Sequence, residues 1–191
     1  MPSDYFSAAV PEPFRILGLA LKPLFLGRYR LMNRFDVAFV AGKERIPTIP
    51  DLLLGVLICS MRCDEFEKFL QDDGFQKQVR RWGKKVKPKH FNVLEKIRLF
   101  RHYIEIHSVV PKYWEMDDSG DTSGAHWSHS MEVALRGELG WSKEEIDEAP
   151  LSKAIADYFK WCETRGSIRL MTEEDLELVA ALDKQGGENG P

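Results

Sequence analysis

The 191-residue chain has no apolar run near the roughly 20 residues that a membrane-spanning helix needs. Its longest uncharged apolar stretch, Leu52–Met61 (LLLGVLICSM), is half that length. Strings that carry a recognisable chemistry are also missing: no GxGxxG, no phosphate-binding P-loop, no GxSxG elbow and no HExxH occur. We therefore expect a non-enzyme without metal or cofactor. Cysteine is scarce. Cys59, Cys63 and Cys162 are odd in number, and two lie in apolar stretches, which predicts free core thiols in a reducing compartment. The first residues, MPSDYFSAAVPEPF, have neither a basic start nor an apolar h-region. No secretory signal is expected there, and the location expected is cytoplasmic. Charge of one sign is lacking as well: 27 basic against 30 acidic residues leave a net charge of −3, which makes no overall case for a polyanion binder.

What is present suits a globular, mainly α chain, with 43% hydrophobic and 30% charged residues. Residues 1–13 read as a polar, proline-containing arm. Phe14–Pro23 alternates loosely around Gly18, as two short strands or an extended lead would. A helical stripe follows over Leu24–Phe35, then a connector over Val37–Pro50 punctuated by Gly42, Pro47 and Pro50. Thr48 and Asp51 stand three apart as a capping box, with Pro50 in the first turn. From Leu52 onward apolar residues point in every direction, and a helix that is apolar all round must be buried. It is expected at the centre of the N-terminal core, leaving any partner groove at its rim.

Asp64 is expected to cap a helix through Phe66, Phe69 and Leu70, with a sparse stripe of Phe75, Val79 and Trp82 beyond Gly74. Asn92 and Glu95 form a second capping-box pattern. They open an amphipathic helix on Val93, Ile97, Phe100 and Ile104, widened by Leu99, Tyr103, Ile106 and Val110 and stopped by Pro111. The loop DDSGDTSG (Asp117–Gly124) marks an internal boundary. Beyond it, Trp127, Met131, Leu135 and Leu139 share a helix face, with Gly140 as its stop. Ser142 and Glu145 cap a short helix, and Pro150 opens another lined by Leu151, Ile155, Tyr158, Phe159 and Cys162 and closed by Gly166. Thr172 and Asp175 start a last helix through Leu176, Val179 and Leu182. The expectation is seven or eight helices in two small helical groups, 14–116 and 126–184, behind a short extended lead. A linker at 117–125 joins them, and 185–191 is expected to be a disordered tail.

Charge is distributed unevenly. Between Lys77 and Arg101 ten lysines and arginines face one carboxylate, Glu95, so the rest of the chain holds 17 basic and 29 acidic residues. Lys77, Arg80, Arg81, Trp82, Lys84, Lys85, Lys87 and Lys89 form the candidate contact patch, with His90 and Phe91 as further rings. Such a segment binds an acidic protein or nucleic acid, or is neutralised by the acidic half of its own fold or by a second subunit. His126 and His129 (HWSH) have the three-residue spacing of two ligands on one helix face, but no spacing identifies a third ligand. The aspartate loop lacks calcium-loop spacing. Cys59 and Cys63 are four apart, one residue too many for a CxxC redox motif. His102 and His107 border an apolar stripe, where a histidine is ordinarily packed and hydrogen-bonded.

Two segments carry a resemblance. Lys22-Pro23-Leu24-Phe25-Leu26-Gly27 follows the extended lead. Leu139-Gly140-Trp141-Ser142-Lys143-Glu144-Glu145-Ile146 precedes Ala149-Pro150-Leu151. In these the chain resembles tail assembly chaperones of long-tailed bacteriophages. The resemblance implies a non-enzymatic protein in the host cytoplasm that keeps the helical tape-measure protein soluble and helps recruit tail-tube subunits. It also implies oligomerisation along the tape. Nucleic-acid binding through residues 77–101 is the alternative expectation.

Overall fold

A computed structural model of the chain describes residues 14–40, 45–71, 77, 80, 81, 84, 92–116 and 126–188. The expected arm at 1–13, the Asp117–Gly124 loop and the last residues of the tail lie outside them. Eight helices and two two-stranded ribbons can be delimited among the described residues, a mainly α fold with a short strand lead as the sequence predicts.

The lead is a hairpin, β1 (Arg15–Ile16) against β2 (Leu19–Ala20), in which Arg15 pairs with Ala20 and Ile16 with Leu19. Its two turn residues, Leu17 and Gly18, both have positive φ, 56° and 80°. That is the two-residue turn whose twist matches the strands, and glycine takes the second position without strain. Lys22 then donates its amide to the Cys59 carbonyl, fixing the hairpin on the end of the apolar helix.

Helix α1 (Leu26–Arg34) begins without a side-chain cap, and so does α7 (Leu151–Thr164), whose N-cap positions are Phe25 and Pro150. Uncapped starts leave backbone N–H groups orphaned. Here the two helix starts satisfy each other across an antiparallel bridge between Phe25 and Pro150. Leu26 N–H donates to Ala149 and Leu151 N–H donates to Leu24.

The apolar helix α2 (Ile49–Ser60) has the predicted capping box: the Thr48 hydroxyl accepts from the Asp51 amide, and the Asp51 carboxylate accepts from the Thr48 amide at 2.9 Å. Leu52, Val56, Leu57, Ile58 and Cys59 are all essentially inaccessible, so this helix is core. Around it stand α1, α3 (Cys63–Gln71) and α4 (Val93–His107). α3 starts two residues earlier than a cap at Asp64 would give. Asp64 lies in its first turn, and Glu65 reaches back to the Arg62 amide at 2.9 Å. At α4 the Asn92 side chain accepts from Glu95 N–H, but the Glu95 carboxylate meets Lys96 at 2.7 Å, so the cap is single rather than a box.

The connector between α1 and α2 is more than a link. Val37, Ala38, Phe39 and Val40 are buried, and Phe39 meets Phe100 edge-on at 4.8 Å. Asp51 holds it down: its carboxylate accepts from Ala38 N–H at 3.2 Å and from Arg45 at 2.6 and 2.8 Å.

The second group contains α5 (Trp127–Gly137), α6 (Lys143–Glu148, with the Ser142–Glu145 capping box), α7 and α8 (Glu173–Glu188). α8 continues to Glu188, so residues 185–188, expected as disordered tail, are helical. Gly140 and Gly166 take positive φ where each preceding helix turns away, as their predicted stop roles require. A ribbon that the sequence did not announce, β3 (Tyr113–Glu115) with β4 (Ile168–Leu170), joins the end of the first group to the second.

Both groups feed one apolar cluster. Tyr29 and Met32 of α1 belong to it with Phe100 and Ile104 of α4, Met131 and Leu135 of α5, and Ile155 of α7. Glu132, almost buried on α5, meets Arg30 of α1 at 2.6 Å and Arg136 at 3.7 Å, adding a charged link between the groups.

Candidate functional site

Of the sequence-predicted patch, Lys77, Arg80, Arg81 and Lys84 are helical and exposed. Their spacing of three, four and seven is that of neighbours on one helix face. Trp82, Lys85, Lys87 and Lys89 lie outside the described residues, as do His90 and Phe91. Arg98 and Arg101 are exposed on α4, while Lys96 is paired with Glu95.

The histidine pair separates into two structural roles. His126 is the N-cap of α5, its Nδ1 accepting from Ser128 N–H at 3.2 Å, and His129 Nδ1 stands 3.8 Å from Glu132. Among the described residues no three His, Cys, Asp or Glu side chains gather as a metal site would need. Cys59, Cys63 and Cys162 form no disulfide. Burial pushes the Cys59 thiol up to about 12, against a hydrogen bond with Tyr103 and the charge of Arg28, so it stays protonated at neutral pH. Burial raises Cys162 too.

His107 is more informative than the histidine pair. It is 1% exposed, Nδ1 lies 2.7 Å from the Tyr103 carbonyl, and Nε2 meets no hydrogen-bond partner among the described residues. Nδ1 therefore carries the proton and donates to that carbonyl in the neutral ring. Burial holds its pKa below the ordinary histidine value, with the Tyr103 carbonyl acting in the opposite sense. The unfolded chain thus takes up the proton first as pH falls. Stability is full above the unfolded pKa of about 6.5 and declines below it. The melting temperature is expected to drop between pH 7 and 5, and His107→Phe to remove part of that drop. Identical declines in the two proteins, followed by thermal unfolding across pH, would disprove the linkage.

The described surface has two notable hollows. One, of about 270 Å³, lies between Phe25, Arg28, Arg62, Cys63 and α6. Most of its charges are already engaged: Arg62 pairs with Asp64 at 3.1 Å and Glu148 at 2.9 Å, and Lys143 with Asp147 at 3.6 Å. Buried Arg28 donates to the Met61 and Pro23 carbonyls and lies 4.5 Å over the Phe25 ring, stitching α1 to the turn before α3.

The other hollow, about 260 Å³, is an aromatic groove lined by Tyr29, Ser108, Val110, Tyr113, Trp127, Tyr158 and Phe159. Five segments build it. α1 supplies Tyr29, which is fully buried, and the end of α4 leads to Ser108 and Val110. Tyr113 comes from β3, Trp127 from the start of α5, and Tyr158 and Phe159 from α7. The rings support one another in two tilted contacts, Tyr29 with Trp127 at 5.3 Å and Tyr113 with Phe159 at 5.2 Å, Phe159 meeting Tyr158 edge-on at 5.6 Å. Burial raises the Tyr158 phenol to about 12, with the Cys162 thiol adding to the rise, so it stays neutral. Val110 remains 45% exposed at the groove's edge.

Trp127, Tyr158 and Phe159 are legible in the sequence as helix-stripe residues, but their gathering with Tyr113 is not. The available signal was weak: Tyr113-Trp114 just after Pro111, adjacent rings with a proline before them. Among the described residues no helix is long and apolar enough to cross a membrane. No family model matches the chain, and no curated protein or solved structure is detectably similar to it.

Proposed function

We propose that this chain is a non-enzymatic, protein-binding assembly factor that seats an apolar side chain of a helical partner in the aromatic groove. The observation that carries the reading is the groove itself: tyrosine, tryptophan and phenylalanine, half-open, with an exposed valine at the edge. Rigid aromatic surface of that kind supplies most of the energy at protein interfaces. A volume of about 260 Å³ admits one large side chain of an amphipathic helix, the anchor of helix-in-groove recognition. The resemblance of residues 22–27 and 139–151 to phage tail assembly chaperones supplies the partner: a tape-measure protein, bound in the host cytoplasm during tail assembly.

Co-expression with the tape-measure protein encoded beside it, followed by affinity capture and calorimetry, tests the proposal. Trp127→Ala and Tyr158→Ala are expected to weaken the complex by about 30-fold each, as removal of a central aromatic anchor costs about 2 kcal/mol or more. Circular dichroism should show the variants folded. No complex with the wild-type chain, or a complex indifferent to both substitutions, would refute it.

The exposed basic face of Lys77, Arg80, Arg81 and Lys84 favours a second reading, a nucleic-acid-binding accessory protein. That reading predicts retention on duplex DNA that weakens steeply with salt.

A further inference from the structure

α8 exposes a pair of leucines, where α4 and α5 expose single large apolar residues, Leu94 (68%) and Val133 (58%). Leu178 and Leu182, one turn apart, are 59% and 57% exposed, and no described element packs extensively along them. The helix is also strongly acidic: Glu173, Glu174, Asp175, Glu177, Asp183 and Glu188 against Lys184 alone. Carboxylates in the first turn favour the helix through its dipole, but six acids on one helix exceed what that role needs. Asp175 is engaged with Arg169 at 3.1 Å, and Glu173, Glu174 and Glu177 are exposed.

An opposite surface exists on the same chain. Lys77, Arg80, Arg81 and Lys84 present a basic helix face, in the segment where ten cations face one carboxylate. Both faces are exposed in a single copy, so neither covers the other within that copy.

We propose that they cover each other between copies: α8 of one chain docks, Leu178 and Leu182 inward, beside the basic face of a second copy of this chain. The contact joins two different surfaces, so it either repeats head to tail or closes reciprocally, each α8 on the other copy's basic face. Carboxylates of α8 meet lysines and arginines, and the two leucines supply apolar area. One helix on one helix buries less than the roughly 1,200–2,000 Å² of a stable complex, so the association is reversible and concentration-dependent. It is also salt-sensitive, because the Debye length shrinks from about 10 Å at 0.1 M salt to about 3 Å at 1 M. The proposal does not depend on the aromatic groove.

Sedimentation velocity of the full chain over a concentration series, at 50 mM and 1 M salt, tests it. The wild type is expected to grow in size with concentration at low salt and to return to monomer at high salt. Arg80→Glu with Arg81→Glu, and separately Glu174→Lys with Glu177→Lys, should each give a monomer. An equimolar mixture of the two variants should associate again, since each carries one face complementary to the other's. That recovery is something a misfolded variant or an intramolecular contact would not produce. A wild type that stays monomeric at low salt overturns the proposal, and does so in favour of nucleic acid if the same protein is retained on duplex DNA through Arg80 and Arg81. Association that survives both charge reversals, or a mixture that stays monomeric, overturns it as well.

Discussion

Asp51→Ala is expected to destabilise the fold by about 3 kcal/mol, the low end of the range for breaking a buried charged pair. For a chain of this size that corresponds to a fall of about 6–12 °C in melting temperature. Asp51 is 6% exposed, and its carboxylate accepts from four groups on three residues of the connector: Arg45, the Thr48 amide, the Thr48 hydroxyl at 2.5 Å and the Ala38 amide. Its removal unties the connector and uncaps α2 at once. Arg45 is 42% exposed at its side chain and recovers water when freed, which keeps the cost below that of a fully buried pair. Asp51→Asn retains a carbonyl acceptor and should fall between wild type and alanine. A loss under about 0.5 kcal/mol in Asp51→Ala, measured by denaturant unfolding, would contradict the assigned role, since that is the scale of an ordinary surface substitution.

The pH dependence of this group follows from the sign of its shift. Burial by itself raises the Asp51 pKa, but the hydrogen bonds from Arg45, Thr48 and Ala38 outweigh it and hold the carboxyl well below the usual range. The stability it confers is therefore present above the unfolded value of about 3.9 and lost as pH falls below it. This acid loss lies beneath the His107 window, and the two substitutions separate them.

Gly27→Ala should behave opposite to helix propensity. In an open helix the change is worth about 1 kcal/mol in favour of alanine. At Gly27 a Cβ would lie 2.8 Å from the Asp147 carbonyl oxygen and 2.9 Å from its Cα, with Cys63 Sγ at 3.0 Å. Two of those neighbours are backbone, so relief requires α6 to move away from α1. Overpacking of this kind costs about 1–3 kcal/mol, and we expect a net loss of about 2. Gly137→Ala is the internal control: nothing lies within 4 Å of its added Cβ, so it should be neutral or gain a few tenths of a kcal/mol. Equal effects at the two sites in thermal unfolding would show that α1 and α6 are not in the contact described.

Much of the fold could be read locally. Thr48 with Asp51 and Ser142 with Glu145 became capping boxes, because a cap is decided by residues three apart. Gly18, Gly140 and Gly166 took the positive φ that their turn positions demand. The apolar girth of Leu52–Met61 announced burial, because no orientation of such a helix keeps its side chains out of water without a surrounding core. Chemistry was less legible: His126 and His129, whose spacing alone suited ligands, are a helix cap and a neighbour of Glu132.

What local pattern determined, then, was where helices begin and end and which of them must lie inside. What only the tertiary structure decided was how the two groups meet. The starts of α1 and α7 have no cap of their own and are completed by each other, Leu26 to Ala149 and Leu151 to Leu24, residues more than a hundred positions apart. The aromatic groove has the same origin, for Tyr29, Tyr113, Trp127 and Tyr158 share no spacing in the chain. Helix periodicity and capping act over three to seven residues, whereas these contacts depend on which surfaces the chain brings together once its apolar faces are buried.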